Sequence, residues 1–223
     1  MKKQVKILLC VLLISIQLYS NKHLLPAGKN SADINLLSEK WNINADALQV
    51  AMKGYEKLKE QGRLINNQYL TVVDFSLSSN NNRFYVIDML TQQVIINTLV
   101  AHGKNSGELI ASSFSNKNAS LKSSLGFYIT GNIYKGKHGN SLQLEGVEKG
   151  INDHAQNRSI VIHGANYVSE HIVNEGGIIG RSFGCPAVPT NKVKEIIATI
   201  KQGTCLFIYA PNEAYLKSSE LVN

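Results

Sequence analysis

The stretch Ser159-Ile160-Val161-Ile162-His163-Gly164, followed after a polar connection by Gly180-Arg181-Ser182-Phe183-Gly184-Cys185-Pro186-Ala187-Val188-Pro189, carries most of what this sequence says. Ile160 to Ile162 read as a buried strand that delivers His163 at its end, and Gly164 lets the backbone turn at once. A histidine at a strand end is a fixed group on the rim of a sheet, which suits a base whose geometry must be held. Cys185 follows 22 residues later, among glycine, serine, arginine and proline, a poor setting for a core cysteine and a good one for a reactive thiol. Gly184 allows close backbone approach, and the amides of Phe183 and Gly184 are candidates to face a developing oxyanion. A thiol is a weak nucleophile until it loses its proton, and a nearby imidazole favours the thiolate. The expected chemistry is therefore acyl transfer through Cys185 and His163.

The elements around this stretch are mainly β. Tyr69–Phe75, Arg83–Met89, Gln93–Ala101, Gly126–Thr130, Ser159–His163 and Cys205–Tyr209 are strand-like runs, and Ser78–Asn82 is a turn. Upstream, Asn44 can cap a helix running to about Lys59, with Ala47, Leu48, Ala51, Met52, Tyr55 and Leu58 on one face. Gly54 stands against that helix on propensity. A weaker helix is possible near Ile34–Lys40. A second firm helix starts at Thr190 or Asn191, shows Val193, Ile196, Ile197 and Ile200 on its apolar face, and ends at Gly203. The division read from the chain is a signal peptide over 1–20, a linker and helix over 21–68, a catalytic domain over 69–211 and a tail over 212–223.

Composition narrows the class. The chain has 223 residues, with 43% hydrophobic and 17% charged, enough for a core and too apolar for a disordered protein. The formal charge is +7, and Lys2, Lys3 and Lys6 supply three of those charges, leaving +4 without them. That is mildly basic, suited to an acidic envelope polymer, and no basic block interleaved with aromatics points to nucleic acid. The three lysines precede a short apolar run, Ile7–Ile16, the pattern of a secretory signal, too short to span a bilayer comfortably. The uncleaved alternative is an N-terminal anchor. The expected location is the periplasm or cell envelope. Removal of the signal would leave Cys185 and Cys205; Cys205 lies in an apolar run and reads as a core side chain.

The motif Gly180–Ala187 resembles the L,D-transpeptidase catalytic domain, a YkuD-like family, in its divergent branch with a Gly-Arg-Ser-aromatic-Gly-Cys-Pro-Ala pattern. The matching residues are His163, Gly164, Ser182, Gly184 and Cys185. Phe183 stands where the classical signature has a second histidine. The likeness extends to Ser123–Tyr128 and Tyr134–Gly139 and covers about Tyr69–Tyr209. It implies a β-sandwich with an N-terminal helix and one near the C-terminus. It also implies that Cys185 forms a thioester with the third residue of a peptidoglycan tetrapeptide, that D-alanine leaves, and that a neighbouring amine resolves the intermediate. Gly164 would orient His163 through its carbonyl. Arg181, Ser182, Tyr134 and His138 are the candidate substrate contacts. The expected partners are donor and acceptor stem peptides, with no cofactor, no metal, no nucleic acid and no membrane span, and the chain is expected to be a monomer.

Three rival readings stand beside this one. A zinc peptidase would use His163, His171 and Cys185, although no compact ligand motif is present. A degenerate binding module would hold peptidoglycan without turning it over. An L,D-carboxypeptidase would use water as the acceptor. His102, also placed after a strand, is read as a loop residue that could line the site; His154 and His171 are read as solvated.

Overall fold

A computed structural model describes residues 31–136 and 139–223. The expected signal peptide, and the residues His138 and Lys137, lie outside the described residues. Two helices lead in. Helix α1 (Ser31–Trp41) packs on α2 (Ala45–Glu60). The Oδ1 of Asn44 accepts from the amides of Asp46 (2.9 Å) and Ala47 (3.1 Å), a side-chain N-cap. The apolar face read from the sequence is the buried face of α2. Gly54 has a packing reason: a methyl group there would stand 2.0 Å from the Phe127 ring, so glycine lets the helix sit directly on the sheet.

The expectation of a mainly β fold is borne out. Eight strands, β1 (Tyr69–Asp74), β2 (Phe84–Asp88), β3 (Gln93–Thr98), β4 (Gly126–Gly136), β5 (Gly139–Gly146), β6 (Val161–Ala165), β7 (Ala187–Pro189) and β8 (Cys205–Tyr209), form one sheet in the order β3-β2-β1-β8-β4-β5-β6-β7. β1 and β8 run parallel at the centre and are buried along nearly their whole length, as their near-continuous apolar sequences require. Beyond β3, Ala101 bridges Ala187 in β7 and Gly103 bridges Ser182. The two ends of the strand order thus meet, and both edges are covered where they meet.

Three more helices complete the fold: α3 (Glu170–Asn174), α4 (Val193–Ile200) and α5 (Glu213–Ser218). α4 lays Ile196, Ile197 and Ile200 against β1, β5 and β6. α5 lies in the segment read as a tail. Its Tyr215 is buried and donates to Glu148 Oε2 at 3.2 Å, Ser219 Oγ donates to Oε1, and the Phe127 amide donates to Oε2 at 2.6 Å. Burial pushes the Glu148 carboxyl up, partly offset by these hydrogen bonds. One buried carboxyl thereby ties the chain end to β4.

Candidate active site

The parallel pair β6–β7 builds the site. Its register places His163 opposite Ala187, Gly164 opposite Val188 and Ala165 opposite Pro189. Cys185, two residues before Ala187, therefore arrives beside the entry of β6. The Val161 amide donates to Cys185 Sγ at 3.5 Å, and the thiol donates to the Ser159 carbonyl at 3.6 Å. Ser159 adopts a left-handed backbone (φ 55°), which turns the chain just before the strand. A cleft of about 920 Å³ opens here, and Cys185 and His163 both line it. Cys185 is half-buried.

His163 is buried, and its Nδ1 lies 3.1 Å from the Gly164 carbonyl. A carbonyl only accepts, so the neutral ring carries its proton on Nδ1 and keeps Nε2 as the basic nitrogen. Gly164 itself is packed tightly: a methyl group there would meet Val193 Cγ1 at 2.9 Å. Glycine lets α4 close against the strand that holds the histidine.

The nucleophile turn is held from inside. Ser182 Oγ donates to the Cys185 carbonyl at 2.6 Å and accepts from the Gly184 amide at 3.0 Å. The Gly184 amide, a sequence candidate for an oxyanion donor, is thus already bonded within the turn. Ser123 Oγ donates to the Gly184 carbonyl at 3.2 Å. Gly184 has φ +126°, and a methyl group there would stand 2.8 Å from the Lys122 carbonyl oxygen. Gly184→Ala combines a disfavoured dihedral with a backbone clash. The variant is expected to lose about 1–3 kcal/mol of stability and to take up acyl groups more slowly, read by thermal unfolding and by intact-mass kinetics. An unchanged unfolding midpoint would contradict the strain argument.

Of the other candidates, Tyr134, Arg181, Ser182 and Phe183 line the cleft. Phe183 is 68% exposed on its rim. Arg181 donates to the Gly107 carbonyl at 3.1 Å and pairs with Glu108 at 3.6 Å. Tyr167 and Arg158 line the cleft and were not read from the sequence as site residues. Tyr167 packs its ring over Gly180, where a methyl group would stand 2.8 Å from it. Burial and then the Cys185 charge push its phenol up to about 12, so it remains a hydrogen-bond donor at neutral pH. Arg158 is the other, and the Gln156-Asn157-Arg158 run gave no more signal than a polar loop.

His102 lies in the irregular segment after β3, as read, and does not line the cleft. It is fully buried, takes Arg83 Nη2 at 2.8 Å on its Nδ1 and approaches the Gly107 carbonyl at 3.1 Å with Nε2. Its backbone carbonyl accepts from the Ser182 amide at 2.9 Å, so it braces the nucleophile turn from behind. Burial first, then the Arg83 charge, hold its pKa at about 4. Unfolded, the ring takes up a proton near pH 6.5. The folded state binds that proton less well, so the contribution of His102 is complete above pH 6.5 and is lost as the pH falls toward 4. That loss is expected to be on the order of 3 kcal/mol. Denaturant unfolding of wild type and His102→Gln at several pH values would test it; equal slopes between pH 6.5 and 4 would contradict it.

The zinc reading fails on geometry. His171 is exposed on α3, pairs with Glu175 at 3.4 Å and borders a different hollow from Cys185. Among the described residues no group of three His, Cys, Asp or Glu side chains is placed to hold a metal ion. Cys205 is fully buried in β8, where desolvation raises its thiol.

Fold and cleft together define a β-sheet domain that sets a half-buried thiol and the imidazole of His163 on one concave surface; β6 continues through Gly164 to Ala165, so His163 is its middle residue and not, as read from the sequence, its end. The family model for the L,D-transpeptidase catalytic domain matches residues 39–209, more than half of the chain, and the chain belongs to that family. Solved structures with similarity include the L,D-transpeptidase from Mycobacterium smegmatis, at 13% identity and TM-score 0.40, over 64% of this chain and 59% of that one. The helical cell shape determining protein Pgp2 from Campylobacter jejuni aligns at 13% identity and TM-score 0.43, over 65% and 48%. L,D-transpeptidase 1 from Mycobacterium tuberculosis aligns at 10% identity and TM-score 0.37, over 64% and 62%. The chain thus spans less than two thirds of the length of these solved chains. No curated protein matches the chain. No helix among the described residues is long and apolar enough to cross a membrane.

Proposed function

We propose that this protein is an exported cysteine acyltransferase that acts on peptidoglycan stem peptides and forms L,D cross-links through a Cys185 thioester. The observation that carries the reading is the shared cleft of Cys185 and His163, with the Val161 amide donating to Sγ and the imidazole fixed by the Gly164 carbonyl. Family membership supplies the reaction class. The charge pattern of Lys2, Lys3 and Lys6 before Ile7–Ile16 supports export to the compartment where the substrate lies.

In the reaction, the Cys185 thiol passes its proton to His163 Nε2, and the resulting thiolate attacks the carbonyl carbon of the third, diamino-acid residue of a tetrapeptide stem. Negative charge develops on the carbonyl oxygen, and we assign the Phe183 amide as a donor to it, since the Gly184 amide is bonded to Ser182. The C–N bond to the terminal D-alanine breaks as His163 gives its Nε2 proton to the departing nitrogen. An amine of a second stem then attacks the thioester, passes a proton back to His163 and releases the Cys185 thiolate. Arg181, which among the described residues pairs with no carboxylate but the exposed Glu108, is assigned to a carboxylate of the stem, with Tyr134 and Phe183 on the cleft walls.

The test incubates purified protein with tetrapeptide-containing muropeptides and follows products by mass spectrometry. Release of D-alanine with a dimer is the expected result. Release of D-alanine with only tripeptide would assign water as the acceptor. Neither product, together with no acyl group on Cys185, would overturn the reading.

A further inference from the structure

Arg158 is a half-buried guanidinium in the wall of the cleft, and its partners are unusual for an arginine. Nη1 donates to the Ser115 carbonyl at 2.7 Å and to Ser124 Oγ at 2.5 Å. Nη2 donates to the Lys122 carbonyl at 2.5 Å and to Ser120 Oγ at 3.4 Å. All four acceptors are neutral and lie in the 115–124 loop, and among the described residues no carboxylate pairs with this side chain. The lining of the cleft includes no Asp or Glu among the described residues either. A charge met only by dipoles keeps most of its field, and in a partly desolvated wall that field is screened less than at a surface.

The same group touches the nucleophile turn. The loop that Arg158 grips is the loop against which Gly184 packs: the Lys122 carbonyl and Arg158 Nη2 are the two nearest atoms to a methyl group built on Gly184, at 2.8 and 3.1 Å. The loop also carries two non-glycine residues in the left-handed region, Ala119 and Leu121, at φ 56° each. Such backbone persists only where surrounding bonds over-determine it, and the bidentate fork of Arg158 supplies four of those bonds.

We propose that Arg158 is a positioning residue for Cys185: its fork locks the 115–124 loop under the Gly184–Cys185 turn, and its unpaired charge favours the thiolate form of the nucleophile. The charged and titratable groups that line the cleft with Cys185 are Tyr134 from β4, Arg158 from the segment before β6, His163 from β6, Tyr167 from the following loop and Arg181 from the nucleophile segment. Tyr167 is neutral at working pH, and Arg181 is partly answered by Glu108. Among the described residues Arg158 is therefore the guanidinium of the set that no carboxylate answers. Burial is the largest influence on the guanidinium and lowers its pKa, opposed first by Tyr128 and then by Cys185, which agrees with the geometry.

The inference rests on the reading of Cys185 as a reactive thiol, and the experiment separates the two. Alkylation of Cys185 by iodoacetamide is followed by intact mass across pH in wild type, Arg158→Gln and Arg158→Lys, with thermal unfolding measured alongside. In Arg158→Gln the pH of half-maximal alkylation is expected to rise by about one unit or more. In Arg158→Lys the charge remains and the fork is lost. Its alkylation midpoint is expected to stay near that of wild type, while acyl uptake from muropeptides falls about tenfold. Coincident alkylation profiles for wild type and Arg158→Gln would overturn the charge role. Should Arg158→Gln not fold, a lysine variant with wild-type acyl uptake would overturn the positioning role. Wild-type muropeptide turnover is scored separately, so failure of the acyl-transfer reading shows there and leaves the alkylation comparison intact.

Discussion

Cys185→Ala is expected to abolish acyl uptake, both from tetrapeptide muropeptides and from a carbapenem used as a covalent probe, while the protein stays folded. The chemical argument is direct. The donor half-reaction begins with formation of the bond between Sγ and the carbonyl carbon, and alanine offers no atom in its place. The structural argument concerns what else the substitution touches. Sγ accepts one long hydrogen bond from the Val161 amide and donates one to the Ser159 carbonyl. Ser159 is exposed, Val161 is half-buried, and both line the cleft, so water can take over either bond. The expected loss of stability is about 1 kcal/mol or less, a shift of about 2–4 °C in the unfolding midpoint for a chain of this size. The turn does not depend on the thiol, because Ser182 Oγ bonds the Cys185 carbonyl and the Gly184 amide. Intact-mass spectrometry reads the adduct and circular dichroism reads the fold. A full-mass carbapenem adduct on Cys185→Ala would move the nucleophile elsewhere; an unfolded variant would mean that the thiol is structural.

The parts of this site that could be read in the sequence are those with a local pattern. Ile160 to Ile162 is an apolar run that reads as a buried strand, and the strand is there, although it begins at Val161 and runs on to Ala165, so that His163 lies at its middle and not at its end. Gly180–Ala187 carries its own turn chemistry, with Ser182 two residues before Gly184. The face of α2 was legible because six apolar side chains repeat at helical spacing under an asparagine cap. What stayed hidden depends on contacts between distant segments. The outer half of β4 leaves the core after Thr130, so its side chains are exposed and lose the alternation that marks a strand. Its partner β5 keeps a short alternating signal, with Leu142 and Leu144 buried and Gln143 and Glu145 exposed, but glycine and asparagine at its start obscure it. β7 is three residues long and is a strand only because β6 and Ala101 pair with it.

Arg158 and His102 illustrate the same limit for single side chains. Arginine in a polar run is ordinarily solvated, and only folding brings the 115–124 loop over it. A histidine after a strand, followed by glycine, is the same local pattern for His102 and for His163. Their roles separate in three dimensions. The buried Arg83 guanidinium occupies one ring nitrogen of His102 and the Gly107 carbonyl faces the other, whereas His163 lines the cleft with Cys185. Burial lowers Arg83 to about 9, with Asp74 opposing, so this pair forms a fixed internal brace rather than a reacting one.

His163→Gln is expected to lower transfer from muropeptides by about 10²–10⁴-fold, and to lower iodoacetamide alkylation of Cys185 by much less. The two reactions ask different things of the imidazole. Alkylation expels iodide, which needs no proton, so it reports only how readily Sγ becomes a thiolate. The Arg158 charge and the Val161 amide still favour that anion when the imidazole is gone. Peptide cleavage expels an amine, which must be protonated as the C–N bond breaks, and a carboxamide has no proton to give at neutral pH. The second half-reaction fails for the converse reason, since the acceptor amine must shed a proton as it attacks. Glutamine keeps a donor within reach of the Gly164 carbonyl, so the local hydrogen bond need not be lost with the base. Equal losses in alkylation and transfer would confine His163 to thiolate formation and would transfer the acid role to another group in the cleft, with Tyr167 the first to replace by phenylalanine.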